Sequence, residues 1–361
     1  MKLLGQLRRG FQHGVHPAHL KEQTADLPIQ RVPFVKDYVM PLGQHIGVPC
    51  EAVVEKGERV RRGQLIAKPG GFVSTALHSP VTGTVTKVGD FRGVDGRFAP
   101  GIGIEADAFS RQQVDAEKGP DWRELSLEDF IGAVQMAGIV GMGGAAFPSH
   151  VKLSVPEGVT IRQLLINGAE CEPYLTNDHR LMVERPEALL EGAEIVRQKL
   201  GAEETVIGVE ANKPDAIEII RRHIRPDQPV RVVPLAVKYP QGAEKMMIKS
   251  VFDVEVPAGQ LPRDVGVNVN NVGTIVAIAD FFLRGMPLIE RVLTVAGPGV
   301  TYPANLVVPL GTPLREVVRF CGGLKGDTRE IIMGGPMMGR PVASLDVPVL
   351  KGCSGVLVFT E

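Results

Sequence analysis

The run Gly138-Ile-Val-Gly-Met-Gly-Gly-Ala-Ala-Phe-Pro148 leaves the N–H groups of Gly138, Gly141, Gly143 and Gly144 uncovered by side chains. That is what a phosphate needs for close approach at a turn or helix N-terminus. A second run, Ile166-Asn-Gly-Ala-Glu-Cys-Glu-Pro-Tyr174, adds Asn167, Glu170 and Glu172 as side-chain donors and acceptors for a polar part of the same ligand. Together the two runs read as a cradle for a flavin and its phosphate.

Taken alone, a cluster of glycines is a loop. The spacing Gly141-x-Gly143-x-x-Ala146 also fits the dinucleotide fingerprint, but that fingerprint follows a strand and opens a long helix. Here Leu127 to Ala137, ahead of the glycines, has helical spacing, and Pro148 interrupts the chain beyond them. Cys50, Cys171, Cys321 and Cys353 are scattered with no C-x-x-C pair, so local spacing assembles neither a zinc site nor an iron–sulfur cluster. They read as buried or incidental thiols, Cys171 excepted because it lies inside the acidic run. No metal ligand set is predicted.

The elements that must hold these runs are legible from their periodicity. Residues 30 to 105 are rich in Val, Gly and Pro and predict a small all-β unit. Val53 to Ala67 and Leu77 to Val88 resemble the two halves of a lipoyl or biotinyl carrier sandwich, but the tip between them carries Gly70-Gly71, with Lys68 before the turn. From Ile161 strand and helix alternate: strand Gln163 to Asn167, helix Pro186 to Leu200 closed by Gly201, strand Thr205 to Val209, helix Pro214 to Ile224, strand Val230 to Val233. That order predicts a parallel sheet covered by helices, with ligands at the carboxyl ends of the strands. The acidic run sits just past one such end. Tyr239-Pro-Gln-Gly-Ala-Glu-Lys245 sits past another and leads into a helix from Glu244 to Val251. Val267 to Thr274 is expected to be a turn before a further helix, with Asn270, Asn271 and Thr274 either capping it or meeting an anion or carbonyl. After Gly285 the order strand, strand, helix, strand predicts a small β-grasp ending in the loop Gly334 to Gly339, a packing or partner contact. Val347 to Phe359 reads as a β-rich connector.

The chain has 361 residues, enough for two or three domains, and 40 basic against 41 acidic side chains leave a net charge of −1, so no basic field argues for nucleic acid. The best apolar stretch, Ile275 to Leu283, is short for a membrane span and carries Asp280. Charges interrupt the N-terminal run Met1 to Phe11 where a signal peptide needs its apolar core, which places the protein in the cytoplasm, with any membrane association peripheral.

In order and content these motifs resemble the C subunit of the Rnf electron transport complex, from Phe11-Gln-His-Gly-Val-His-Pro17 to Gly334-Gly-Pro-Met-Met-Gly339, and the resemblance spans nearly the whole chain. The central part is also similar to the NADH-binding flavoprotein subunit of respiratory complex I. The resemblance implies an α/β protein: a Rossmann-like FMN/NADH-binding domain over 126–288, an N-terminal segment and lipoyl-like barrel-sandwich over 1–125, and a β-grasp, soluble-ligand-binding domain with a connector over 289–361. It implies FMN as cofactor and NADH as substrate. Gly141, Gly143 and Gly144 would line the flavin and its phosphate, with Lys152 reaching the same ligand. Asn167, Glu170 and Glu172 would make polar flavin and nicotinamide contacts, Glu244 would serve the pyridine-nucleotide side with Tyr239 nearby, and Asn270, Asn271 and Thr274 the phosphate side. Phe147 would pack on the nucleotide. No residue is assigned as a proton-transfer catalyst.

This sequence departs from the complex I pattern at Met142, where that family carries Arg, and at Ala169, where it carries Asp; His13 stands where the Rnf pattern usually has Gly. The Rnf subunit normally continues into a ferredoxin-like segment with two 4Fe-4S clusters, so an end at Glu361 is expected to be a truncation ahead of it, the alternative being a natural short form. The function implied is that of an NADH dehydrogenase module on the cytoplasmic side of the membrane, passing electrons through other subunits to ferredoxin while ions are moved. The competing reading is a flavin-free docking protein similar to the A subunit of the sodium-pumping NADH:quinone reductase. A carrier with a covalent arm requires a lysine at the hairpin tip, where Gly70-Gly71 stands.

Overall fold

A computed structural model describes residues 9–115 and 118–360; the charged run at 1–8 lies outside the described residues. After a short strand β1 (Ile29–Arg31), seven strands form two small sheets. β2 (Asp37–Pro41), β4 (Arg59–Val60), β7 (Gly83–Arg92) and β8 (Phe98–Ala106) pair in the order β2-β8-β7-β4, and β3 (Glu51–Ala52), β5 (Leu65–Lys68) and β6 (Leu77–His78) in the order β3-β5-β6. Val60, Ile66, Leu77, Val85, Ile102 and Ile104 are buried at 1 % exposure or less, giving the expected sandwich its core. Its hairpin tip is docked rather than free. The carbonyls of Gly71 and Phe72 accept from Gln135 Nε2 (3.2 and 3.4 Å), and Phe72 O lies 2.7 Å from His150 Nε2.

The central part begins with α1 (Leu127–Met136), capped by Ser126. Pro148 does not end the ordered chain: it stands at the N-cap of a short helix, α2 (Ser149–Leu153), a position its fixed φ suits. Then come β9 (Gln163–Gly168), α3 (Asn177–Glu184), α4 (Pro186–Leu200), β10 (Glu204–Glu210), α5 (Pro214–His223), β11 (Val230–Leu235), α6 (Glu244–Phe252), β12 (Val267–Asn271) and α7 (Val272–Arg284). The sheet is parallel throughout, in the order β11-β10-β9-β12.

Both faces are apolar, as a parallel sheet between helices requires. Leu164, Ile166, Ile207 and Val209 belong to the main core with α4 and α7, while Leu165, Val206, Val233 and Leu235 pack with Met247, Ile248 and Val251 of α6. At Gly192 the helices α4 and α7 come so close that a Cβ would stand 2.2 Å from Ile275 O.

Two expectations are corrected. Val267 to Asn271 is a strand, β12, not a turn: Val267 and Val269 join the α6-side cluster, and the alternate Asn268 and Asn270 are buried and hydrogen-bonded on the other face. Val347 to Phe359 is not merely a connector. Its end is β17 (Gly355–Phe359), which lies inside the C-terminal sheet between β13 (Glu290–Ala296) and β15 (Glu330–Met333). That sheet also holds β14 (Ala304–Pro309) and β16 (Arg340–Pro341), with α8 (Leu314–Phe320) against it, and its order is β1-β14-β13-β17-β15-β16. The edge strand β1 comes from ahead of the sandwich, so the N-terminal segment is stitched to the C-terminal sheet.

Candidate functional site

The chain leaves β9 for β10 and β11 on one side and returns to β12 on the other, so the topological switch point lies between β9 and β12, where a crevice opens beyond the strand ends. The glycine loop lies across it. Met142 N–H donates to Thr274 Oγ1 (3.0 Å), whose hydroxyl donates to Val140 O (3.2 Å); a Cβ on Gly143 would stand 3.4 Å from Asn271 Cβ. Gly141 N–H donates to Phe147 O (2.7 Å) and closes the loop.

Behind the loop stands Arg291 of β13, which is 2 % exposed. Its Nη2 donates to Met142 O (2.8 Å), its Nη1 lies 3.1 Å from Met142 Sδ, and its Nε donates to Cys353 O (3.0 Å). In a trans peptide C=O and N–H point oppositely. With Met142 O drawn back to the guanidinium, Gly143 N–H turns forward, where residues 143–145 are exposed. Gly144 has φ +146, a value for glycine alone, and a Cβ there would meet nothing within 4 Å. An exposed, forward-facing amide backed by a buried cation fits a phosphate group.

The acidic run forms the opposite wall. Asn167 Nδ2 donates to Gly242 O (2.7 Å) and its Oδ1 accepts from Ala169 N–H (3.1 Å), tying this wall to the loop after β11; Gly242 N–H donates to Cys171 Sγ (3.4 Å). Glu170 adopts φ +47 and turns its carboxylate inward, accepting from Asp178 N–H (2.7 Å) and His179 N–H (3.3 Å) at the start of α3. Glu172 reaches the C-terminal loop, where its Oε2 accepts from Met337 N–H (2.8 Å). Tyr239 is half-buried in the loop after β11.

At the mouth, Lys152 at the end of α2 pairs with Glu244 at the start of α6, and Asn268 Nδ2 donates to Lys152 O (2.8 Å). Phe147 is half-buried in the glycine loop. Asn271 caps α7, with Oδ1 accepting from Gly273 N–H (2.8 Å) and Nδ2 donating to Asp178 Oδ2 (2.6 Å). Asn270 lies buried below and donates to Asn268 Oδ1 (2.6 Å). The structure therefore brings Gly141, Gly143, Gly144, Asn271 and Thr274 into one cluster and joins Asn167 to the 239–244 loop and Lys152 to Glu244. It sets Glu170 and Asn270 inward, and Glu172 against the C-terminal loop.

Sequence reasoning missed the charged groups beneath these loops: Lys21, Asp178, Lys213, Arg291 and Lys351, each at most 7 % exposed. Arg291 alone left a signal, since strand alternation puts it on the same face as Leu293 and Val295. Burial raises Glu170 to about 7, with Lys21 opposing that rise, and lowers Lys21 to about 8, with Glu170 opposing in turn. Burial likewise lowers Lys351 to about 7, pushes Asp178 and Glu172 up and lifts the Cys171 thiol. A raised Cys171 thiol is a weak nucleophile at neutral pH.

Three family models match the chain: the RnfC barrel sandwich hybrid domain over residues 9–108, the Nuo51 FMN-binding domain over 134–280 and the SLBB domain over 292–341. The chain is 43 % identical over 353 residues to the C subunit of a proton-translocating ferredoxin:NAD(+) oxidoreductase complex of Clostridium ljungdahlii, covering 98 % of this chain and 77 % of that one. It is 39 % identical to the C subunit of the Na(+)-translocating counterpart of Acetobacterium woodii, covering 97 % and 79 %. Among solved structures, an NAD+-reducing [NiFe]-hydrogenase in the air-oxidised state aligns with a TM-score of 0.53 and 25 % identity, over 67 % of this chain and 47 % of that one.

Proposed function

The chain belongs to the RnfC family, the C subunits of Rnf-type, ion-translocating ferredoxin:NAD(+) oxidoreductase complexes, and from that premise we propose that it is the FMN-binding, NADH-oxidising component. The observation that carries this reading is the glycine loop, with the forward-facing Gly143 amide and the open space at Gly144, laid across the switch point between β9 and β12. FMN, when bound, supplies hydride acceptance from NADH and delivery of electrons onward, chemistry that no side chain provides.

The chain's own residues bind and orient. Gly143 and Gly144 hold the phosphate through main-chain N–H groups while Gly141, whose N–H is taken by Phe147 O, closes the loop behind them, and Lys152 adds a cation at the mouth that favours the electron-rich reduced ring. Asn167 and the N–H groups of the acidic run meet the polar edge of the ring. Glu244, 42 % exposed at its side chain, anchors hydroxyls or the carboxamide of the pyridine nucleotide, with Tyr239 and Phe147 as flat surfaces beside it. Thr274, Asn271 and Asn270 act one step back, by fixing the loop and the start of α7. Glu172 fixes the C-terminal loop against the site.

The division at residues 125/126 and 288/289 belongs to the same reading. So does a peripheral place on the cytoplasmic side, with electrons moving between the flavin, iron–sulfur centres and ferredoxin; among the described residues no helix is long and apolar enough to cross a membrane.

The test is an anaerobic titration with FMN and then NADH, following flavin fluorescence and visible absorbance. Stoichiometric binding and bleaching by NADH are expected. A folded chain that takes up no FMN would instead be a docking protein.

A further inference from the structure

The segment ahead of the sandwich runs along the outer edge of the central sheet. Arg9 O accepts from Ala236 N–H (2.8 Å), Val15 and Tyr239 exchange both main-chain hydrogen bonds (2.9 and 2.8 Å), and His19 O accepts from Tyr174 N–H (2.9 Å). This strap therefore touches both the 239–244 loop and the acidic run from behind. It then delivers Lys21, 7 % exposed, whose Nζ donates to the carbonyls of Glu170 (2.9 Å), Glu172 (3.0 Å) and Leu175. All three carbonyls lie in one loop. Lys213, 1 % exposed and just ahead of α5, donates to Ala169 O (2.7 Å) while meeting Glu210 (3.3 Å) and Asn212 (3.1 Å).

Two buried ammonium groups thus hold the successive carbonyls of Ala169 and Glu170. Each trans peptide turns its N–H opposite to its C=O, so the N–H groups of Glu170 and Cys171 face away from the lysines. Glu170 sits at φ +47, a left-handed value that a residue with a Cβ keeps only where its surroundings over-determine it. Successive N–H groups about such a residue form a concavity that receives electron-rich oxygens. The side chain of Glu170 is spent on α3, so what this loop offers outward is main chain.

We infer that Lys21 and Lys213 are positioning residues, which fix the acidic run from beneath so that the N–H groups of Glu170 and Cys171 meet carbonyl or phosphate oxygens of the bound nucleotide. The inference rests on the nucleotide-binding reading above. It makes the N-terminal strap a working part of the site: among the described residues Lys21 is the one strap side chain whose ammonium enters the loop, and it does so across a sequence separation of 149 residues or more.

The test compares the intact chain with Lys21→Met, Lys213→Met and Lys21→Gln, the last keeping two N–H donors without the charge. Arg185→Met serves as control, because it breaks the Arg185–Asp280 pair (2.6 Å), and Arg185 makes no hydrogen bond to residues 169–176. Amide hydrogen exchange is read in the ligand-free proteins over residues 169–176, and FMN dissociation constants are read by fluorescence well below each melting temperature. Loss of a charged hydrogen bond to loop carbonyls is expected to speed exchange in 169–176 by about tenfold or more relative to α4, and to weaken FMN by a similar factor. Arg185→Met should lower the melting temperature and change neither.

Exchange that rises no more in 169–176 than in α4, in both lysine positions, overturns the positioning role and leaves a staple for stability. If the unmodified chain binds no FMN but the lysine variants still loosen 169–176, the nucleotide reading fails while the positioning of the loop stands. If FMN binds the unmodified chain and every folded lysine variant equally well, the positioning role fails alone.

Discussion

Thr274→Val separates a ligand contact from a loop anchor. Thr274 is fully buried, and its hydroxyl both accepts from Met142 N–H (3.0 Å) and donates to Val140 O (3.2 Å). Valine keeps the shape but removes both bonds and leaves two main-chain groups unpaired, at about 1–3 kcal/mol each, hence about 2–6 kcal/mol together. A domain in the middle or upper part of the ordinary range, about 5–15 kcal/mol, survives that. At about 2–4 °C per kcal/mol the melting temperature should fall by about 4–24 °C. The lost anchors are those that aim the Gly143 amide, so the flavin-dependent part of the stability should fall as well. In wild type, FMN at a hundredfold excess over its dissociation constant adds about 2.7 kcal/mol. Thermal melts with and without FMN read both quantities. Thr274→Ser, which keeps the hydroxyl, should retain the FMN-dependent shift and lose only about 1 kcal/mol for the methyl. A valine variant that melts within about 1 °C of wild type and keeps its full FMN shift would refute the anchoring argument.

Other variants probe the mouth, the loop and the buried charges. Lys152→Ala should weaken FMN by about tenfold, the order of one charged hydrogen bond, whereas Glu244→Ala should raise the Michaelis constant for NADH more than it weakens FMN; equal effects on both ligands would reject the division of labour. Gly144→Ala has room for its Cβ but not for φ +146, so a cost of about 1–3 kcal/mol falls on the loop, and FMN binding should be lost with the circular dichroism of the fold retained. Lys351 is lowered by burial to about 7 from 10.5, so in the folded state it binds fewer protons than in the unfolded state between those values. Its contribution is fully present above about 10.5 and is lost as pH falls through about 7. Urea midpoints should therefore rise from about pH 7 to about pH 9, and Lys351→Met should flatten that rise; an unchanged slope would show that the lysine is not the group responsible.

Periodicity made part of the architecture legible, and charge concealed the rest. The helix from Pro186 to Leu200 and strands β9, β10 and β11 carry apolar patterns that packing respects, and the Gly and Asn turns sit where the parallel sheet puts its ligand. β12 was hidden because Asn is depleted in strands, yet Asn268 and Asn270 are tolerated there by pairing with Lys152 O and with each other. α3 was hidden because its first turn, Asn177, Asp178 and His179, is polar and buried, facing Glu170, Asn271 and Asp215 instead of an apolar core. Lys21, Lys213 and Lys351 lie far apart in sequence, and a lysine is ordinarily a solvated residue, so nothing local marks them as buried.

Those same cations explain why the site needs residues far outside the central sheet. Lys351 Nζ donates to Gly138 O (2.6 Å) and Ala76 O (2.7 Å), Arg291 holds Met142 O, Lys213 holds Ala169 O, and Lys21 holds Glu170 O and Glu172 O. Each draws a carbonyl of a site loop inward. A loop built from glycines and short polar residues has little side-chain packing to fix its peptide planes, and an unpaired buried ammonium is too costly to drift from its carbonyls. Orientation is thus imposed from beneath by charges carried on the N-terminal strap, on the loop before α5, on β13 and on the turn before β17, while the exposed rim stays free of bulk. The same arrangement supplies charge at position 142: Met142 carries none, but Arg291 sets a guanidinium against its carbonyl from behind, so positive charge lies under the glycine loop without occupying the space in front of it.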